Sequence, residues 1–500
     1  MATVYDIAII GGGVNGCGIA RDAAGRGLKV LLAEKSDLAS GTSSASTKLV
    51  HGGLRYLEHY EFTMVHDALK EREVLLSMAP HIIWPLRFIL PHHKALRPAW
   101  LVRIGLFLYD HLGGRKILPA SRSVDLTKVA AGRPLKDHFT RAFEYSDCWV
   151  DDARLVVLNA MDARQRGADI RTRTEAVAAR PQGNGWSIEL EDKSTGKRDK
   201  VEARVLINAS GPWVDDVLNS KAGLNGKPRI RLVKGSHIVV PKVFDHDRAY
   251  IFQNDDRRIV FAIPYEGEFT LIGTTDVDYK GDPANVKIEA EEIAYLTRLA
   301  STYFKSEIKP GDVVWSYSGV RPLMDDGATA AQEATRDYVL ELDTSQGAPL
   351  LNIFGGKITT YRRLAEEAIG KLADELTIKQ PWTSGAALPG GDFPVDGVAS
   401  LVAEITRTAP GVDPKLARRL VRTYGTRARD IVAGVKSAAG LGQMFGAGLS
   451  EREVRYLIKN EWAQTAEDIL WRRTKLGLRL SGGEQESLAD WLAAHAASVA

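Results

Sequence analysis

The chain has 500 residues, of which 44% are hydrophobic and 26% charged, a composition that suits two or three globular domains. Its 66 Lys and Arg against 63 Asp and Glu leave a net charge of +3, so no whole-molecule field argues for nucleic acid. The two cysteines, Cys17 and Cys148, frame no metal cluster, and no apolar run is long enough for a membrane-spanning helix.

The chain opens on a short apolar run, Tyr5 to Ile10, that has no helical period and reads as a buried strand. It begins too early to leave room for a basic, apolar leader, so the chain is expected to stay in the cytoplasm. Gly11, Gly13 and Gly16 follow in the spacing G-x-G-x-x-G. The first permits a tight turn, the second lets backbone approach a pyrophosphate, and the third lets the next helix pack on the strand. That helix is expected from about Val14 to Arg26, with its N-terminal amides facing the phosphates. Gly27 ends it, Leu28 to Ala33 form a second strand, and Glu34 at its tip is placed to hydrogen-bond a ribose hydroxyl. Strand, loop, helix, strand and acid in this order point to a dinucleotide. Thr42, Ser43, Ser44, Ser46 and Lys48 come next, in a segment of small residues and hydroxyls suited to lie against a large flat cofactor. His51-Gly52-Gly53-Leu54-Arg55-Tyr56 follows directly, setting a titratable group and a cation beside two glycines. This favours FAD over a nicotinamide cofactor.

Farther along, residues 85–116 hold basic side chains interleaved with Trp100, Phe107 and Tyr109. Such a segment suits either the interface of an anionic membrane or a core helix beside a substrate domain. Asp151 to Arg166 reads as a helix, and Val205 to Ala209 as a strand ending at Ser210-Gly211-Pro212. Alternating runs at 237–240 and 259–263 predict a separate sheet. His237 heads one of these strands, Arg321 lies in a Gly- and Pro-flanked loop, and Arg336 precedes another strand. Gly355-Gly356-Lys357 with Thr359 and Thr360 begins a helix. After 389–392 the pattern turns helical. Asp413-Pro414 predicts an N-cap with a first-turn proline, and Ser450 with Glu453 a capping box. Arg472, Arg473 and Lys475 after Trp471 make the last part basic, which suits docking or a homodimer.

Three segments, Ile10 to Gly27, Gly41 to Tyr60 and Gly355 to Ala365, closely resemble the signature stretches of the FAD-dependent, quinone-linked glycerol-3-phosphate dehydrogenases. The resemblance runs over about residues 4 to 390 and more loosely beyond. Ser210 stands where related flavoproteins more often carry threonine, a change that keeps the hydroxyl.

The resemblance implies an α/β fold: an FAD-binding Rossmann-like domain of glutathione-reductase type, an interleaved mixed-sheet substrate domain and a C-terminal helical domain. The expected division is 1–80, 150–215 and 335–385 for FAD, 81–149 and 216–334 for the substrate or cap domain, and 390–500 for the helices. FAD is the implied cofactor, with no metal. Ser210, Gly211, Gly355, Gly356, Lys357 and Thr359 join the glycine turn, Glu34 and the hydroxyl loop as its expected contacts. A flavin that oxidises a secondary alcohol needs a proton acceptor, for which His51 stands first and His237 second, with Lys357 beside the ring. A phosphate ester needs cations, for which Arg55, Arg321 and Arg336 are the candidates, with Tyr56 packed over the substrate. The implied reaction turns glycerol 3-phosphate into dihydroxyacetone phosphate. Its electrons pass to a membrane quinone, from a protein resting peripherally on the inner face of the cytoplasmic membrane. Three alternatives stay open: an oxidase using oxygen, a flavoenzyme for amines or amino acids, and a flavin-binding sensor or scaffold without turnover.

Overall fold

The strand Val4–Ile10 is central to the first of two sheets in this computed structural model, which describes residues 4–93, 96–223, 229–254, 258–325 and 337–499. Parallel strands Val30–Ala33 and Arg198–Asn208 flank it, and Asp169–Arg171 and Leu350–Phe354 extend the sheet outward. Val339–Asp343 closes one edge antiparallel, and Thr174–Gln182 with Gly185–Asp192 forms a ribbon joined to Arg198–Asn208. Parallel strands need both faces covered, hence the largely apolar sequences of Val4–Ile10, Val30–Ala33 and Leu350–Phe354. Helices Val14–Gly25, Asp152–Gln165 and Tyr361–Gly370 pack together on this sheet, burying Ile7, Cys17, Leu32, Val156 and Leu364 in one core. The first helix stops where Gly27 adopts φ +90° and the Leu28 N–H returns to the Ala23 carbonyl. The helix Asp152–Gln165 starts where the Asp151 carboxylate accepts from the Arg154 N–H.

Among the described residues the second sheet has ten strands, with Ile230–Pro241 pairing antiparallel with both Trp315–Met324 and Phe269–Gly273. Ile259–Tyr265, Ala249–Gln253, Ile83–His92 and Arg141–Val150 continue it in that order. One face packs on the helix Ala290–Tyr303 through Leu296 and Ala300. The other packs on Phe62–Met78 and Ala99–Leu112 through Leu69, Leu106 and Tyr109. The strand Ile83–His92 of this sheet overlaps the stretch 85–116, and the helix Ala99–Leu112 falls within it. Among the described residues no helix is long and apolar enough to cross a membrane.

Helices from Val398 onward form a third body around Leu401, Leu420, Leu457 and Leu488. Asp413 accepts from the Lys415 and Leu416 amides with Pro414 in the first turn. The capping box at Ser450 is only half formed. Ser450 Oγ accepts from the Glu453 N–H, but the Glu453 carboxylate is buried against Arg419 and the Tyr424 hydroxyl. A second expectation is also overturned. Arg473 and Lys475 are buried and Arg472 is nearly so; the two arginines are ion-paired with Asp37. The basic cluster is therefore an internal joint rather than a docking surface.

Candidate active site

A cavity of about 500 Å³ draws its walls from both sheets. One end is built by the glycine turn. Gly11 takes φ +112°, and a Cβ there would sit 2.5 Å from the Ala209 carbonyl oxygen. Gly16 lies behind the wall, where a Cβ would meet the Gly11 oxygen at 1.9 Å, so the helix presses directly on the turn. Gly11, Gly13 and Glu34 line the cavity. The Glu34 carboxylate accepts from the Gly12 N–H at 2.6 Å and the Ser36 N–H at 2.8 Å. Burial raises its pKa while these two amides oppose the shift.

The hydroxyl loop departs from expectation in part. Thr42, Ser43 and Ser46 reach the cavity, whereas Ser44 and Lys48 are absent from its wall. Ser43 Oγ accepts from the Val14 N–H at 3.0 Å, and Thr42 Oγ1 donates to the Val320 carbonyl at 2.6 Å. Ser44 Oγ turns back to the Gly41 carbonyl. The Lys48 ammonium is fully buried on Asp152, 2.9 Å from Oδ1, and Ser46 Oγ donates to the same carboxylate at 2.8 Å. A buried ammonium needs a buried counter-charge, and Asp152 is that partner. Lys48 therefore anchors the loop to the helix Asp152–Gln165 and is corrected from a cofactor contact to a support.

The cavity is also lined by His51, Tyr56, His237, Thr274, Arg321, Lys357 and Thr359. His237 lies in the middle of the strand Ile230–Pro241, not at its head, paired with Gly273 on one side and Tyr317 on the other. Glycine is required opposite it, since a Cβ at Gly273 would stand 2.2 Å from the imidazole. The ring stacks on Tyr317 at 4.8 Å, its Nε2 meets Thr47 Oγ1 at 3.0 Å, and its buried Nδ1 has no hydrogen-bond partner. Burial, then the charges of Arg321 and Lys48, push its pKa well below the usual value, so the ring is neutral at pH 7. The His51 N–H donates to Thr359 Oγ1 at 3.3 Å. The next amide, of Gly52, donates to the buried Tyr109 hydroxyl at 2.8 Å, which itself donates to Asp147.

Arg321 belongs to the strand Trp315–Met324 rather than to a loop. Its guanidinium pairs with Asp276 and reaches Thr274 Oγ1 at 3.4 Å. Lys357 precedes the helix Tyr361–Gly370 by one turn instead of opening it. Its ammonium stands 4.0 Å over the Tyr56 ring. Ser210, Gly211, Gly355 and Gly356 also line the cavity, with Ser210 Oγ donating to Asn208 Oδ1 at 2.6 Å. Arg55 sits in the short turn Leu54–His59 away from the wall, so it does not join Arg321. Arg336 lies outside the described residues. Three contributors were missed from sequence. Asn15 donates to the Gly355 carbonyl at 3.1 Å and keeps a buried Oδ1 without a partner. Thr47 and Thr274 hold His237 and Arg321. Asn15 fills a variable position of the glycine motif, and the threonines carry no spacing signal.

The chain matches the family model described as FAD dependent oxidoreductase over residues 6–362, and that of the C-terminal domain of alpha-glycerophosphate oxidase over 381–495. It is 54% identical to a glycerol-3-phosphate dehydrogenase of Pseudomonas aeruginosa over 98% of this chain and 96% of the relative. It is 53% identical to a D-erythritol 1-phosphate dehydrogenase of Brucella abortus, over 97% of each. Among solved structures, the glycerol-3-phosphate dehydrogenase of Bacillus halodurans complexed with FAD superposes with a TM-score of 0.80. It is 28% identical, covering 98% of this chain and 90% of that one. FAD is the cofactor of this fold, and the cavity fits it: side-chain-free backbone at Gly11 and Gly13, and unpartnered polar atoms on Asn15 and His237. Among the described residues no cluster of His, Cys, Asp or Glu is arranged for a metal ion.

Proposed function

The chain belongs to the FAD dependent oxidoreductase family, and on that premise we propose that it oxidises sn-glycerol 3-phosphate to dihydroxyacetone phosphate and passes the electrons to a membrane quinone in glycerol catabolism. The observation that carries this reading is that two cationic side chains, Arg321 and Lys357, line the same cavity as His51 and His237. The names of the two relatives support it, since each denotes a dehydrogenase of a phosphorylated polyol.

Bound FAD supplies the acceptor for the hydrogen leaving the carbinol carbon with its electron pair. The protein's part is to hold the ester and take the hydroxyl proton. Arg321 presents a planar fork for phosphate, with Asp276 and Thr274 fixing its direction. Lys357 adds a second positive charge, steadied over Tyr56. The proton goes to His51 or His237. His237 is buried and held neutral, its Nε2 against Thr47 Oγ1, so it offers an uncharged imidazole for such a step. Glu34 and the glycine turn hold the adenosine end, and Ser210, Gly355 and Gly356 shape the middle of the cavity.

Electron delivery to a lipid-soluble quinone is supported by the helix Ala99–Leu112. Its outer face carries Trp100, Ile104 and Phe107, exposed by 65%, 48% and 53%. Arg97, Arg103, Arg115 and Lys116 lie in the same stretch. This face rests in the headgroup region of an anionic leaflet on the cytoplasmic side, apolar rings inward and cations at the phosphates. The test is an acceptor assay with glycerol 3-phosphate in air. Quinone-analogue reduction with little hydrogen peroxide is the expected result. Peroxide formed in step with substrate consumption would make the protein an oxidase instead.

A further inference from the structure

The chain segment at Glu34 is tied to the C-terminal body by a buried ionic joint. Three residues beyond Glu34, the Asp37 carboxylate receives Arg473 in a bidentate pair, Nη1 to Oδ2 and Nη2 to Oδ1, both at 2.8 Å. Arg472 Nε adds a third bond at 2.7 Å. Arg473 is fully buried, and its Nη2 also donates to the Glu461 carbonyl, so it is fixed from the C-terminal side. A second tie lies alongside. Asp468, buried in the same segment, receives Arg173 Nη2 at 2.7 Å as well as the Gln464 and Thr465 amides. Arg173 is stitched to the Glu34 loop by its N–H to the Ser36 carbonyl, while the Thr174 N–H donates to the Glu34 carbonyl. Glu34, Ser36, Ala39 and Thr174 all line the cavity. The segment 468–473 therefore grips, from behind, both strips of backbone that wall its ribose end.

We propose that the C-terminal helical body is a latch on the adenosine end of the flavin cavity, with Asp37, Arg173, Asp468 and Arg473 as positioning residues that make flavin retention and docking of that body mutually dependent. The inference rests on reading Glu34 as the ribose-binding acid. Buried charges that lose a partner are strongly disfavoured, so the joint is either made or opened as a unit. When it opens, the 34–39 loop loses its only ionic anchor among the described residues, leaving hydrogen bonds to hold the ribose wall. By linkage, whatever the latch adds to flavin affinity, bound flavin adds to latch closure, in equal measure.

The native holoenzyme tests this without any substitution. Backbone hydrogen exchange over 464–476 is expected to be slower with FAD bound than after flavin is stripped, and equal exchange in the two states would overturn the proposal. In a second arm, Asp37→Asn is expected to release FAD from the holoenzyme about tenfold faster or more, read as the rise of free-flavin fluorescence. Should that variant fail to fold, Arg173→Gln, cut from the other tie, takes its place. Arg473→Lys, which keeps the charge, is expected to speed release less than Asp37→Asn does. Release at the native rate from correctly folded variants would overturn the latch. Glu34→Gln serves as the control: unchanged flavin affinity there would show that the ribose reading, rather than the latch, is at fault.

Discussion

Arg321 carries a definite expectation because its guanidinium already has a fixed direction between Asp276 and Thr274. Arg321→Ala is expected to raise KM for the phosphate ester by about tenfold to a hundredfold, the range for a hydrogen bond to a charged group, while FAD stays bound. Steady-state kinetics beside the flavin absorbance of the purified variant checks this, and unchanged KM would remove Arg321 from the phosphate site. A second residue bears on pH. His81 is fully buried, neither ring nitrogen has a partner, and burial together with Arg154 and Arg422 holds its pKa down at about 3. In the unfolded chain it titrates near the ordinary value of about 6.5. Above that pH both states are neutral. Below it only the unfolded state gains the proton, so stability falls as pH drops from about 6.5 toward 3. Between pH 7 and pH 5 this one group is expected to cost about 2 kcal/mol, which His81→Leu removes in urea denaturation run at both values. Residue roles were unevenly legible. Arg321 stood out for its flanking glycine and proline, yet the glycines that make room are elsewhere in the sequence, Gly235 beside Arg321 and Gly273 opposite His237. Lys48 misled because its partner, Asp152, is distant in sequence, and a run of hydroxyls does not say whether it faces a ligand or its own support.

Elements were most legible where one local rule settled them. The helix Val14–Gly25, the strand after it and the helix Asp152–Gln165 fell within a residue or two of their expected limits, each set by a glycine stop or an Asp cap. Asp413-Pro414 likewise held. Arg321's strand was read as a loop because glycine and proline usually break strands. Here pairing with Ile230–Pro241 overrides that preference. The helix Ala99–Leu112 was left between membrane and core, and its two faces answer differently. Tyr109 turns inward to Asp147 and the Gly52 amide, whereas Trp100, Ile104 and Phe107 turn outward. The double substitution Trp100→Glu and Phe107→Glu is expected to lower binding to anionic vesicles about tenfold or more in co-sedimentation, leaving quinone-analogue activity in solution nearly intact. Undiminished vesicle binding would place the membrane contact elsewhere.

At the scale of the whole molecule, the α/β class and the interleaving of one sheet with another were legible because strand signals recur on both sides of long insertions. The joint between the C-terminal body and the 34–39 loop was not. It is made of charged side chains about 435 positions apart in sequence, and a basic run after a tryptophan reads as surface unless its buried partner is known. The cavity joins the two sheets, the first supplying the glycine turn and Glu34 and the second His237 and Arg321. Oxidation of a three-carbon polyol phosphate through FAD is the chemistry proposed for this cavity. The most direct test is the visible absorbance of the purified protein's flavin under anaerobic conditions, with glycerol 3-phosphate, glycerol and D-erythritol 1-phosphate added in separate samples. Bleaching by glycerol 3-phosphate ahead of the four-carbon ester, none by glycerol, and recovery on adding a quinone analogue is the predicted result. A flavin that stays coloured with glycerol 3-phosphate, or bleaches only with the longer ester, would contradict it.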